Sequence, residues 1–256
     1  MGQTYANSFM SSGFVGASDI LILNKTKIEE KNSFGIDTTN FYTEPNPQIF
    51  ESDILILAVK PQDFKQLANE IKSFLNSEHV VLSVMAGISI EAMQNELRVS
   101  KIVRSMPNIP TQIGEGMTVF CASNAVDRKE LFIVQNLINT TGKSIYIERE
   151  EMLNAATAVS GSGPAYVFYF MQAMIESSIQ LGFSTSEAEF LVSQTFSGSV
   201  QLQNRSKLSN EAWIQRVASK GGTTEAALSI FNQNALQEII IEGIEAANIR
   251  AFELGA

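Results

Sequence analysis

The segment Asp53–Val59 (DILILAV) is apolar at every position after the first, and Lys60-Pro61 ends it. A half-exposed strand alternates apolar and polar side chains, so one that is apolar throughout has to be covered on both faces. That requirement points to a layered α/β domain with helices on either side of a parallel sheet. The neighbouring sequence agrees. Ile20–Leu23, Val80–Met85, Lys101–Arg104, Met117–Cys121 and Ser144–Ile147 read as further strands. Between them, Phe64, Leu67, Ala68, Ile71, Phe74 and Leu75 recur at helical spacing. Asp127 followed by Glu130 predicts a capping box, and Gly142 is placed to end the helix that it opens.

After Ile147 the strands stop. Pro164 suits the first turn of a long helix reaching Gly182, because a first-turn N–H has no intrahelical partner to lose. Helical patterns then cover Thr185–Gln203, Glu211–Val217, Thr223–Phe231 and Ala235–Leu254. The expected organisation is therefore an α/β domain over residues 1–148 and an all-α domain over 149–256. The helix from Tyr166 to Leu181 carries Phe168, Tyr169, Phe170, Met171 and Met174 around much of its circumference. Such a helix needs burial on more than one side, which a second subunit supplies most easily in so small a domain.

Composition narrows the chemistry. The net charge of −9 argues against a nucleic-acid footprint, which shows as a basic face. The single cysteine, Cys121, rules out an intramolecular disulfide framework and fits a reducing, cytoplasmic setting. Cys121 lies in an apolar run and reads as a buried strand thiol; the single histidine, His79, reads as a strand-edge residue. One histidine and one cysteine do not make an ordinary zinc site, so no metal is expected. The longest apolar segment, Ala165–Ile175, falls short of the roughly 20 residues that a membrane span needs, and Gln172 interrupts it.

Four segments carry the candidate chemistry. Asn24-Lys25-Thr26-Lys27 follows the Ile20–Leu23 strand, where a dinucleotide-binding domain meets the adenosine ribose. No acidic residue closes that strand, which favours NADP over NAD, although a solvated lysine loop would look the same. Ala58-Val59-Lys60-Pro61 ends the buried strand, and Ser83-Val84-Met85-Ala86-Gly87 ends the next; ligands of open α/β sheets bind at such strand ends. Ser219-Lys220-Gly221-Gly222-Thr223-Thr224-Glu225 opens a helix, and the combination of glycines, hydroxyls and a helix N-terminus makes a cradle for a carboxylate or phosphate. A structural Gly-Gly turn is the plainer alternative for this segment taken alone.

Taken together these residues resemble the pyrroline-5-carboxylate reductase family. Val217–Leu228 is similar to its signature, as are Ala58–Pro61, Arg104-Ser105-Met106-Pro107-Asn108 and Ser160-Gly161-Ser162-Gly163-Pro164-Ala165-Tyr166, in order along the chain. The resemblance implies a Rossmann-like N-terminal domain and an all-α dimerisation domain. It implies a homodimer, with a decamer of dimers as the larger form. It also implies hydride transfer from NADPH, or NADH, to the imine carbon of 1-pyrroline-5-carboxylate, giving L-proline. By position, Thr224 hydrogen-bonds the ring nitrogen as the catalytic residue. Ser219, Gly221, Gly222 and Thr223 hold the carboxylate. Gly2, Asn24, Lys25, Thr26, Ala58, Val59, Lys60, Pro61, Ala86 and Gly87 line the cofactor, and Asn108, Ser160 and Gly161 lie near the nicotinamide. A family asparagine near the adenosine maps, one residue displaced, to Asn46.

The chain departs from the family at its start. Members open with a strand and a G-x-G-x-M-G turn, whereas Met1-Gly2 align with the last two positions of that turn and Ala6, Phe9, Met10 and Gly13 continue its helix. The expected α/β domain therefore lacks its first strand. An upstream start is favoured over true absence, because losing a central strand leaves its two neighbours unpaired. Lys220 stands where proline is commoner. Two other functions compete: a related imine or β-hydroxyacid reductase using a lysine such as Lys220, and a non-catalytic dimeric homologue.

Overall fold

The computed structural model describes residues 1–26, 36 and 38–255; Lys27, the last residue of the adenosine-side segment, lies outside them. The chain falls into two compact units, Met1–Ser162 with Ala247–Ala256, and Gly163–Ala246.

The first unit opens with helix α1 (Gly2–Ser11), followed by the short strands β1 (Ile22–Leu23) and β2 (Phe41–Tyr42), which pair in parallel. A second ladder contains β3 (Ile54–Leu57), β4 (Val80–Ser83), β5 (Ile102–Met106), β6 (Gly116–Ala122) and β7 (Gly142–Tyr146), in that spatial order. Helices α2 (Phe64–Ile71), α3 (Ile90–Leu97) and α4 (Arg128–Asn139) connect its strands. The two ladders are separate, so β3 is an edge of the larger one.

The apolar runs behave as their composition requires. On β4, Val81 joins a core cluster with Leu57, Phe64, Ala68, Ile71, Met93 and Leu97, while Val80 and Leu82 join another with Val103, Phe120, Val134 and Ile138. Alternate residues thus enter opposite layers, and all of β4 is buried. Helix α1 adds Tyr5 and Phe9 to a third cluster with Val84 and Leu137. Asp127 accepts the N–H of Glu130 while Glu130 accepts that of Asp127, so the capping box at the start of α4 is formed.

Two expectations are corrected. The sheet is mixed: β6 runs antiparallel to β5, while the other adjacent pairs in this ladder are parallel. The connection Pro107–Glu115 holds only a tight helical turn, Ile109–Ile113, and a parallel return needs a crossover of a dozen or more residues. Gly142 does not terminate α4, whose last residue is Asn139; it begins β7 with φ 142° against Gly116 of β6.

Beyond β7 come α5 (Met152–Ala156) and a single π-helical turn, Thr157–Gly161, in which the Ser162 N–H reaches the Thr157 carbonyl at 2.8 Å. The helices α6 (Gly163–Gln180), α7 (Thr185–Asn204), α8 (Asn210–Val217), α9 (Thr223–Gln233) and α10 (Leu236–Gly255) follow, close to the predicted boundaries. Among the described residues, no helix is long and apolar enough to cross a membrane.

Cys121 and His79 are both buried and structural. His79 accepts the Asn76 N–H through Nδ1 at 3.0 Å, and its Nε2 lies 2.8 Å from the Phe50 carbonyl, to which it donates. Burial, reinforced by the Glu150 carboxylate, pushes the Cys121 thiol from 9.0 up to about 12. Because the thiolate is the reactive form, labelling of the native protein by a disulfide reagent is expected to be about 10³-fold slower than in denaturant. Equal rates would show the thiol to be accessible.

Candidate functional site

In the first unit, the candidate cofactor residues gather at the carboxyl ends of β3 and β4 and at the start of α1. Helix α1 begins at Gly2 with no side-chain cap; the first backbone bond is Tyr5 N–H to Met1 O, which leaves the amides of Gly2, Gln3 and Thr4 without a partner among the described residues. A Cβ on Gly2 would stand 3.2 Å from the Cβ of Ala58 just beyond β3, so the helix start and the Ala58–Pro61 segment are in close contact. Pro61 opens a short helical turn, Pro61–Asp63, and thereby stops β3. After β4, Ala86 is exposed and Gly87 takes the left-handed φ of 76°, turning the chain into α3. Uncommitted amides at a helix N-terminus favour an anion, and the close glycine lets its backbone be approached, so these residues fit a dinucleotide pyrophosphate.

The adenosine-side segment folds on itself. Asn24 Nδ2 donates to the Thr26 carbonyl at 2.8 Å and to Thr26 Oγ1 at 3.3 Å, with Lys25 exposed between them. Asn46 is exposed and caps the turn Pro47–Glu51, its Oδ1 accepting the Gln48 N–H at 2.9 Å. That contact occupies one side-chain oxygen and leaves the amide nitrogen.

Asn108 bridges two elements. Its Nδ2 donates to the Ser160 carbonyl at 3.0 Å, and its Oδ1 accepts the Met117 N–H at 2.9 Å. The side chain therefore fixes the π-helical turn to the start of β6. Gly161 lies against Met106, whose Cε would be 2.7 Å from an added Cβ. Asn108, Ser160 and Gly161 are thus brought together, as one bracketed corner. The π turn was not legible in the sequence, although such turns recur at functional sites; a Ser-Gly-Ser-Gly run inside a helical stretch is the only signal it left.

In the second unit, Ser219–Gly222 form a turn closed by Gly222 N–H to Ser219 O at 3.0 Å. Gly221 adopts φ 73°, and a Cβ on Gly222 would meet Ser219 Oγ at 2.5 Å. Glycine suits the left-handed conformation at Gly221, while a side chain at Gly222 would have to displace the Ser219 hydroxyl. Without a ligand the Gly221 N–H donates to Glu225 Oε2 at 2.6 Å. The Gly222 amide is likewise used within the turn. What remains is the first turn of α9, where no side chain caps the helix and, among the described residues, the amides of Thr223, Thr224 and Glu225 have no partner. The Thr224 side chain is half-buried, whereas Ser219 and Thr223 are exposed. Glu225 escaped the sequence reading; an acidic residue in a first helical turn was its visible sign.

The second unit also presents a large apolar surface. Val167, Phe168, Tyr169, Phe190, Ile230 and Ile239 are all exposed in the single chain. Exposure of this many large apolar side chains on one unit fits an association face.

Comparison with known proteins matches this division of labour. Residues 150–254 match the family described as pyrroline-5-carboxylate reductase dimerisation, and residues 1–87 match that described as NADP oxidoreductase, coenzyme F420-dependent. A pyrroline-5-carboxylate reductase of Staphylococcus epidermidis is 30% identical over 256 residues, covering 99% of this chain and 94% of that protein. The solved pyrroline-5-carboxylate reductase of Coxiella burnetii superposes with a TM-score of 0.90 at 29% identity, over 100% of this chain and 95% of its own. The Plasmodium falciparum pyrroline carboxylate reductase, solved with NADP bound, gives a TM-score of 0.88 at 27% identity, over 100% and 95% of the two chains. With a Rossmann-like nucleotide unit and an all-α dimerisation domain in one chain, the protein belongs to the pyrroline-5-carboxylate reductase family of oxidoreductases.

Proposed function

We propose that this chain reduces 1-pyrroline-5-carboxylate to L-proline with NADPH, working as a homodimer that assembles further into rings, and that its functional domains are residues 1–148 and 149–256. The observation that carries the substrate side is the uncapped first turn of α9, with the Thr223, Thr224 and Glu225 amides uncommitted beside the Ser219 and Thr223 hydroxyls. A cyclic imino acid presents one carboxylate and one ring nitrogen. The helix N-terminus attracts the carboxylate, and the Thr224 hydroxyl holds the nitrogen. Glu225, by holding Gly221 in its left-handed turn, keeps the cradle shaped without itself binding an anion.

On the cofactor side, the α1 amides with Gly2 and Ala58–Pro61 would hold the pyrophosphate, and Asn24, Lys25 and Thr26 the adenosine end, with Asn46 beside it. Ala86, Gly87 and the Asn108–Ser160–Gly161 corner would border the nicotinamide. When bound, NADPH supplies the hydride. No nucleophile or metal is required of the protein, whose contribution is positioning. The absence of an acidic residue after β1 favours NADPH over NADH.

A coupled absorbance assay tests the reading. Oxidation of NADPH dependent on pyrroline-5-carboxylate, with L-proline identified as product, is expected. A purified, folded dimer that forms no proline with either NADPH or NADH would overturn the activity.

A further inference from the structure

We infer that Glu150, together with Arg104, is a positioning residue that holds both sides of the cofactor corner in register; the inference rests on the reductase reading above. A single oxygen, Glu150 Oε1, accepts the Ile90 N–H at 2.8 Å and the Arg104 Nη1–H at 2.6 Å. These partners lie 60 and 46 residues away in the chain.

Each partner leads to a different part of the corner. Ile90 is the first residue of α3, so its amide is one of those a helix leaves unpaired; the N-cap Ser89 satisfies Ala92 instead. The Glu150 carboxylate fills that gap with the charge sign that a helix start favours. In doing so it fixes the end of the Met85–Ser89 loop, which carries Ala86 and the left-handed Gly87. Arg104 sits within β5, buried, and four residues further on Asn108 grips the Ser160 carbonyl. Glu150 itself precedes α5 and the π turn that contains Ser160 and Gly161. The path from Glu150 through α5, Ser160, Asn108, β5 and Arg104 returns to Glu150 as a closed circuit, with the cofactor loop tied in at Ile90. Apolar residues packed in place of both members of a buried ion pair often cost little stability. What an apolar side chain could not do is tie these segments to one point.

The role is one of shape more than of charge, which separates the variants. Glu150→Gln keeps an acceptor oxygen at the same reach, Glu150→Asp keeps the charge but withdraws it by one methylene, and Glu150→Ala removes both. Two readouts are taken on folded protein: amide hydrogen exchange at Ile90, and the NADPH dissociation constant from fluorescence titration without substrate. For Glu150→Asp and Glu150→Ala, exchange at Ile90 and the dissociation constant are each expected to rise about tenfold, as for loss of a hydrogen bond to a charged group. In Glu150→Gln both should stay within about threefold of wild type. With saturating NADPH, the KM for pyrroline-5-carboxylate should be unchanged in every variant. Wild-type exchange and affinity in Glu150→Asp, or a Glu150→Gln as impaired as Glu150→Ala, would overturn the clamp. A wild-type protein that binds no NADPH would instead overturn the cofactor reading, while exchange at Ile90 continues to report on the clamp. Should Glu150→Ala not fold, the Asp and Gln pair carries the comparison.

Discussion

Thr224→Ala is expected to lower kcat/KM for pyrroline-5-carboxylate by about 10²–10³-fold while leaving NADPH affinity and the melting temperature near wild type. The reasoning starts from α9. Its first-turn amides at Thr223, Thr224 and Glu225 are uncommitted and survive the substitution, because they belong to the backbone. Carboxylate binding should therefore persist. What alanine removes is the single half-buried hydroxyl in the turn, the one assigned to the ring nitrogen. Charge at that nitrogen changes as the imine becomes an amine, so a donor or acceptor fixed there acts more strongly in the transition state than in the ground state. The loss should fall mainly on kcat. Thr224→Ser, which keeps the hydroxyl, should recover most of the rate. A Thr224→Ala enzyme as fast as wild type would remove Thr224 from the reaction.

Gly142→Ala should cost on the order of 4 kcal/mol of stability, the range reserved for steric and backbone violations. Gly142 opens β7 opposite Gly116 of β6, with φ 142°. An added Cβ would overlap the backbone N and O of Gly116, which cannot withdraw as the tip of a flexible side chain could. Gly116 is constrained in turn: its own Cβ would press on Thr111 and on the Thr141 carbonyl, which accepts the Gly116 N–H at 3.0 Å. Neither strand can move aside without breaking the ladder. Urea unfolding followed by circular dichroism is the check, and a midpoint close to wild type would show that the ladder can open at this point.

Gly142 also shows where a sequence reading goes astray. A glycine soon after an amphipathic helix is a good terminator, and nothing local distinguishes that use from a close crossing of two strands. The distinction depends on Gly116, which is 26 residues earlier in the sequence. Elements whose signal is local were legible. The buried strands, the Asp127–Glu130 capping box and the helices after Gly163 all follow from periodicity, capping chemistry or proline placement. The two-residue strands are different: β2 is too short to show a period, and its pairing with β1 is a tertiary fact. The reversal of β6 depended on the length of one connection rather than on the strand's composition.

The candidate site divides in the same way. From the sequence alone came the residue types and their order: a glycine-rich turn with hydroxyls ahead of a helix, strand ends closed by Pro61 and Gly87, and the collinear motifs of one family. Those are properties of short segments, and short segments keep their preferences wherever the chain places them. Only the tertiary structure decided which polar groups are left over. It gave the Gly221 amide to Glu225, left the first-turn amides of α9 uncommitted, placed Gly2 against Ala58, and joined Ile90, Arg104 and Glu150 at one oxygen. A hydrogen-bonding group becomes available to a ligand only when no nearer partner has claimed it. Which partner is nearer is settled by packing between residues that the sequence holds far apart.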